Sequence, residues 1–231
     1  MNRLFVAALS ISLLGLACSK QTGSGSSPHN CSVDSASLAQ IARASLTSLG
    51  IPGPNADVPI EVQQRPMRLP GSERLIVTAS WGGPSNGAIL LGNCSGAILG
   101  GERSGFALSM EPIVVGPERN LIKLRAITGT GTGWRQERIS LYETHPQHVA
   151  MVWTGVVAET SYQASSVGAF EETGELTYLN ADSLVYLTTR FPVAMTEDGH
   201  WSRDVAHAER KVRTYYWNSE HYKYEIRSTG I

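Results

Sequence analysis

Arg213-Thr214-Tyr215-Tyr216-Trp217-Asn218-Ser219-Glu220-His221-Tyr222-Lys223-Tyr224-Glu225-Ile226-Arg227 is the stretch that decides the fold class. Tyr222, Tyr224 and Ile226 alternate with His221, Lys223, Glu225 and Arg227, so period 2 predicts a strand with one apolar and one charged face. Its partner strand sets Arg213, Tyr215 and Trp217 against Val212, Thr214 and Tyr216, and Asn218-Ser219-Glu220 supplies the turn. The same grammar runs back to about residue 60. Short runs rich in Val, Ile, Thr, Tyr and Trp are separated by Gly, Pro, Asn and Ser clusters, an all-β pattern. Strands are expected over Glu73–Trp81, Ala88–Gly92, Ala97–Gly100, Leu121–Thr128, Trp134–Thr144 and Val149–Ser161. Turns are expected at Gly83-Pro84-Ser85-Asn86-Gly87 and at the hairpin tip Gly129-Thr130-Gly131-Thr132-Gly133.

One helix precedes them, at about 34–49. Ser32 or Asp34 can cap it, and Leu38, Ile41, Ala42, Leu46 and Leu49 recur at helical spacing. Gly50 and Pro52 stop it. No fixed repeat supports a solenoid or propeller. The fold class is therefore mainly β: an antiparallel β-sandwich or open barrel carrying one N-terminal α-helix.

The first seventeen residues follow different rules. Arg3 stands ahead of an uncharged apolar run over residues 4–17, too short for a bilayer span of roughly 20 helical residues. A single cation, a short apolar core and small closing residues form a signal peptide. Leu14-Gly15-Leu16-Ala17-Cys18 resembles the lipobox of bacterial lipoproteins, with Gly15 where Leu, Val or Ile is commoner. The resemblance covers about a tenth of the chain. It implies that Cys18 is acylated, palmitate included, and becomes the mature N-terminus. The lipid bilayer is then a partner through Cys18. Ser19 directly after the cysteine implies the outer membrane, facing the periplasm or the surface. Residues 18–31 are a Gly/Ser-rich tether that lacks apolar side chains able to offset ordering entropy, and 32–231 form the globular domain. With Cys18 assigned to lipid, Cys31 and Cys94 remain as a pair in a compartment that tolerates disulfides. The alternatives are two separate thiols or a reactive Cys94. A bridge would close a loop of about 63 residues, worth roughly 4 kcal/mol in the chain-entropy model.

The 231 residues hold 19 basic and 20 acidic side chains, and a net charge of −1 argues against a nucleic-acid partner. Chemistry-bearing patterns are sparse. Gly92-Asn93-Cys94-Ser95-Gly96 has nucleophile-elbow spacing, but a strand-like Ala97-Ile98-Leu99 follows where that turn needs a helix. It is similar to the Gly-x-Cys-Gly-Gly of chymotrypsin-like cysteine proteases, but Ser95 replaces a glycine and the upstream histidine is His29 of the tether. A Gly-bounded turn holding a half-cystine is the expected reading. His145 and His148 have no third ligand nearby, and His200, His207 and His221 could supply one only if the fold converges them, so no metal is expected. Neither is a cofactor. Glu171-Glu172-Thr173-Gly174 and Glu197-Asp198-Gly199 are read as turns.

The aromatics are the remaining signal. Tyr215, Trp217 and Tyr222 are the candidate ligand-binding face, because exposed rings stack on sugars or peptides. The functional expectation is a membrane-anchored envelope lipoprotein with a non-catalytic β-rich domain that binds or scaffolds an envelope protein or glycan, with no catalytic residue assigned. The alternatives are an envelope hydrolase using Cys94 or an acidic pair with His145, His148, His200, His207 or His221, and an accessory subunit of an envelope complex, which would display an exposed apolar patch.

Overall fold

The computed structural model describes residues 31–69, 72–83, 86–116, 119–145, 147–162 and 168–226. Residues 1–30, on which the expected signal peptide, the acylated Cys18 and most of the expected tether fall, lie outside them, as do residues 84 and 85 of the expected turn and Arg227. The described residues from Cys31 onward belong to one compact unit. Among the described residues no helix is long and apolar enough to cross a membrane.

Helix α1 (Ser35–Ser48) starts where the Asp34 side chain accepts from the Ser37 amide at 2.9 Å. That bond holds the Asp34 carboxyl below its usual range. The helix ends because Gly50, at φ +67°, lets the Ile51 and Gly50 amides turn back onto Leu46 and Thr47 carbonyls. This is a Schellman motif, a left-handed exit that glycine accepts without steric cost.

Among the described residues thirteen strands follow: β1 (Glu61–Leu69), β2 (Ser72–Ser80), β3 (Gly87–Asn93), β4 (Ile98–Arg103), β5 (Phe106–Val114), β6 (Asn120–Gly131), β7 (Trp134–Thr144), β8 (Val149–Ser161), β9 (Phe170–Leu179), β10 (Ser183–Met195), β11 (Trp201–Arg203), β12 (Glu209–Asn218) and β13 (Lys223–Glu225). They form two antiparallel sheets that do not close into a barrel. The smaller has the order β1-β2-β3-β4; the larger runs β13-β12-β10-β9-β8-β7-β6-β5, with β11 paired to β10. The mainly β, sandwich-type class with one helix is therefore the architecture of this chain.

Three apolar cores follow from strand parity. Leu75, Val77, Ala79, Ala88 and Leu90 face α1, where Leu38, Ala42 and Leu46 meet them. Ile76, Ile89 and Leu91 point the opposite way, onto Ile122, Leu124 and Tyr142 of the larger sheet. That double burial is why β2 and β3 read as unbroken apolar runs rather than alternating ones. The third core lies on the larger sheet's other face. Leu121, Ile139, Leu141 and Trp153 are buried there with Leu184, Tyr186 and Tyr224, so the C-terminal strands fold back over β6–β8. The fold-back passes two glycines. A Cβ on Gly174 would lie 1.9 Å from the Val156 carbonyl oxygen, and one on Gly155 would lie 2.5 Å from the Trp153 ring.

Several local readings shift. Pairing continues through Gly131↔Trp134, so only Thr132 and Gly133 turn, and Gly129 is the floor on which the Trp134 ring lies. Glu171–Gly174, expected as a turn, lies inside β9. The reason is pairing with β10: Glu171 sits opposite Phe191 and its carboxylate is held by Arg203 and by the Tyr162 hydroxyl. Glu197-Asp198-Gly199 is a turn, between β10 and β11.

One acid enters the space between the sheets. Glu102 of β4 is partly buried, accepts from Ser140 Oγ at 2.9 Å and lies beside Tyr142. Burial raises its carboxyl pKa above the ordinary value.

Candidate functional site in the C-terminal aromatic hairpin

Strands β12 and β13 pair as Trp217↔Tyr224 and Asn218↔Lys223. Between them the Asn218 side-chain oxygen accepts from the Glu220 and His221 amides at 2.9 and 3.2 Å. This Asx-type capture makes the turn four residues long and leaves Tyr222 at φ +50°. The consequence is a correction. Tyr222, Tyr224 and Ile226 do not share one face: Tyr222 belongs to the turn and is exposed, Tyr224 is buried and Ile226 is exposed.

The three candidate ligand-binding aromatics divide in the same way. Tyr215 packs edge-on to Trp153, with ring centroids 5.9 Å apart, as part of the third core. Trp217 is half-buried, edge-on to Tyr224 at 5.3 Å and to Tyr222 at 6.2 Å. Only Tyr222 presents most of its ring to solvent. Tyr215 acts as a foundation, Trp217 as a wall and Tyr222 as a rim.

Beneath Trp217 lies a strut that the sequence did not advertise. The Arg119 guanidinium sits 3.5 Å from the Trp217 ring centroid, a cation–π arrangement. It donates through Nε and Nη2 to the two Glu143 carboxylate oxygens at 2.9 and 3.4 Å, and through Nη1 to the Ala181 carbonyl at 2.6 Å. The Tyr224 hydroxyl donates to the neighbouring Asn180 carbonyl at 2.6 Å, and burial pushes its phenol pKa up. Glu143 is a buried acid on the parity of Ile139 and Leu141. An acid at an inward position was the one available clue, since a buried carboxylate requires a partner.

An open groove of about 490 Å³ runs along the hairpin, lined by Trp217, Asn218, Glu220, Glu225 and their neighbours. Glu225 accepts from Lys223 Nζ at 2.8 Å, His221 Nδ1 at 3.1 Å and Asn218 Nδ2 at 2.8 Å. These bonds, Lys223 first, draw its carboxyl down to about 2. Such a carboxylate is a fixed acceptor and a poor proton donor at neutral pH. The groove offers one aromatic wall and a hydrogen-bonding floor, a combination suited to holding a polar ligand.

The other candidates lie elsewhere. Cys31 and Cys94 are joined as a disulfide between the entry to α1 and the β3–β4 turn. That turn leads from strand to strand, with the Asn93 side chain accepting from the Ser95 and Ala97 amides. Cys94 therefore sits in a half-cystine turn, and its sulfur lies 3.8 Å from Glu73. Cys31, Glu73 and Cys94 bring three potential ligand atoms within 4.8 Å of one another, but the two sulfurs are bonded to each other. His145 and His148 stack on each other at the β7–β8 turn, with centroids 4.3 Å apart. His207 pairs with Asp204 at 2.6 Å and His221 with Glu225, while His200 belongs to the β10–β11 turn. Among the described residues, and apart from the His145–His148 pair, the histidines occupy different turns.

No protein-family model matches the chain, and no curated protein or solved structure is significantly similar to it.

Proposed function

We propose that this chain is a lipid-tethered envelope protein whose β-rich body binds an envelope protein or glycan without catalysing a reaction on it, with the C-terminal hairpin groove as the contact. One observation carries the reading. Three cysteines are present, two are joined in the fold, and the third stands at the lipobox-like position 18. A bridged pair fits an oxidising compartment, and a leftover cysteine behind a short apolar leader fits acylation. The Gly/Ser-rich stretch after Cys18 would let the body move away from the bilayer, and more than one acyl chain would keep it there. The half-buried Trp217, backed by Arg119 and Glu143, supplies a rigid aromatic wall of the kind on which sugars and peptides stack.

The test is the intact mass of the mature protein taken from membranes. A chain beginning at Cys18 and carrying fatty acids is expected, and Cys18→Ala should release the protein from the membrane fraction. A mature form starting at another residue, or a Cys18 terminus without acyl groups, overturns the proposal.

A further inference from the structure

We infer that the outer face of β9, β10 and β12 is a self-association surface that joins two copies of this chain about a two-fold axis lying along β10. The inference is independent of the lipid tether and of the hairpin groove.

The observation is a sheet face with an unusual composition. Register places Tyr178, Val185 and Thr214 in one row across the three strands, and Glu175, Leu187 and Val212 in the next. The opposite parity of β10, Leu184 and Tyr186, is buried in the third core, so these rows face away from it. Val212 is 68% exposed and Tyr178 52% exposed. Tyr178, Val185, Leu187 and Val212 thus place apolar side chains on an outer face where an antiparallel sheet normally turns polar residues to water, the two flanking ones exposed and the two central ones half-buried.

The charges on this face choose the occupant. Glu175 stands on the β9 flank, and Arg210 stands on the β12 flank, opposite Thr189 of β10. Two sheets packed face to face about an axis along β10 would lay β9 of each copy over β12 of the other. Each Glu175 would then come within side-chain reach of the other copy's Arg210, and Leu187 would meet Leu187 at the centre. An in-plane axis across the strands would instead oppose β9 to β9 and leave both charges without a complement. The surface is therefore complementary to itself in one orientation, which is what an isologous interface requires. Aligned packing of two such sheets is an ordinary arrangement.

The test uses the full chain in the cells that make it. Leu187→Cys treated with a bismaleimide should yield a species of twice the chain mass, and the parent chain should not. Glu175→Arg in that background should lower the crosslinked fraction ~tenfold by setting like charges against each other. Glu175→Arg with Arg210→Glu should restore it, since the swapped pair is again complementary. Both side chains are exposed, and an intact Cys31–Cys94 bridge verifies folding of each variant. A Leu187→Cys chain that stays single overturns the inference, as does a double variant that fails to recover. A crosslink to a protein of different mass also overturns it and assigns the face to another partner.

Discussion

At the residue scale, Glu102 shows how one side chain departs from the pattern around it. Alternation in β4 turns it toward the inter-sheet core, where Ser140 gives it a hydrogen bond but solvent does not reach it freely. Its folded pKa is raised above the unfolded value. The stability that this shift contributes is therefore complete below the unfolded pKa and is lost as pH rises through the folded one. Glu102→Gln keeps an acceptor for Ser140 and removes the charge. Thermal unfolding of the variant should match the parent near pH 4 and exceed it at pH 8; a variant less stable than the parent at pH 8 would contradict the assignment. Glu143 is the contrasting case. It too lies on an inward parity, but Arg119 answers it, and nothing in the local sequence links residues 24 apart.

Among the elements, the C-terminal hairpin depends on three remote segments. Arg119 ties the approach to β6, the end of β7 and the β9–β10 turn to the Trp217 ring in one contact set. With 16% and 7% of their side chains exposed, Arg119 and Glu143 form a largely buried pair, and removing one partner leaves the other charge uncompensated. Arg119→Ala should cost about 3 kcal/mol in urea unfolding and shift Trp217 emission to the red. Adding Glu143→Gln should recover part of that loss by removing the stranded charge; no recovery would mean that the strut acts through packing alone. Alternation identified both strands of this hairpin. It missed the longer turn because the decisive interaction is a side chain, that of Asn218, which captures two amides and takes Tyr222 out of the ladder.

At the scale of the whole molecule, the Cys31–Cys94 bridge fastens the entry of α1 to the smaller sheet across 63 residues of chain. Gln64 reinforces the same junction, bonding the amide and carbonyl of Val33. Replacing both cysteines with serine should lower stability by about 4 kcal/mol, read from urea unfolding extrapolated to water, with a steeper slope because the unfolded chain loses its cross-link. A shift below 1 kcal/mol would show that packing of α1 on β2 and β3 already holds the segment. The sequence by itself determined the β class, the single helix with its glycine stop, and most strand positions. These follow from periodicity and turn chemistry, which act over a few residues. Only the tertiary structure decided that the strands divide into two sheets and that the larger one folds back to make a third core. It alone sorted the aromatics into wall, rim and foundation. Those outcomes depend on which faces meet across the chain, on glycines such as Gly174 that admit a crossing backbone, and on buried charges that must find partners far away in sequence.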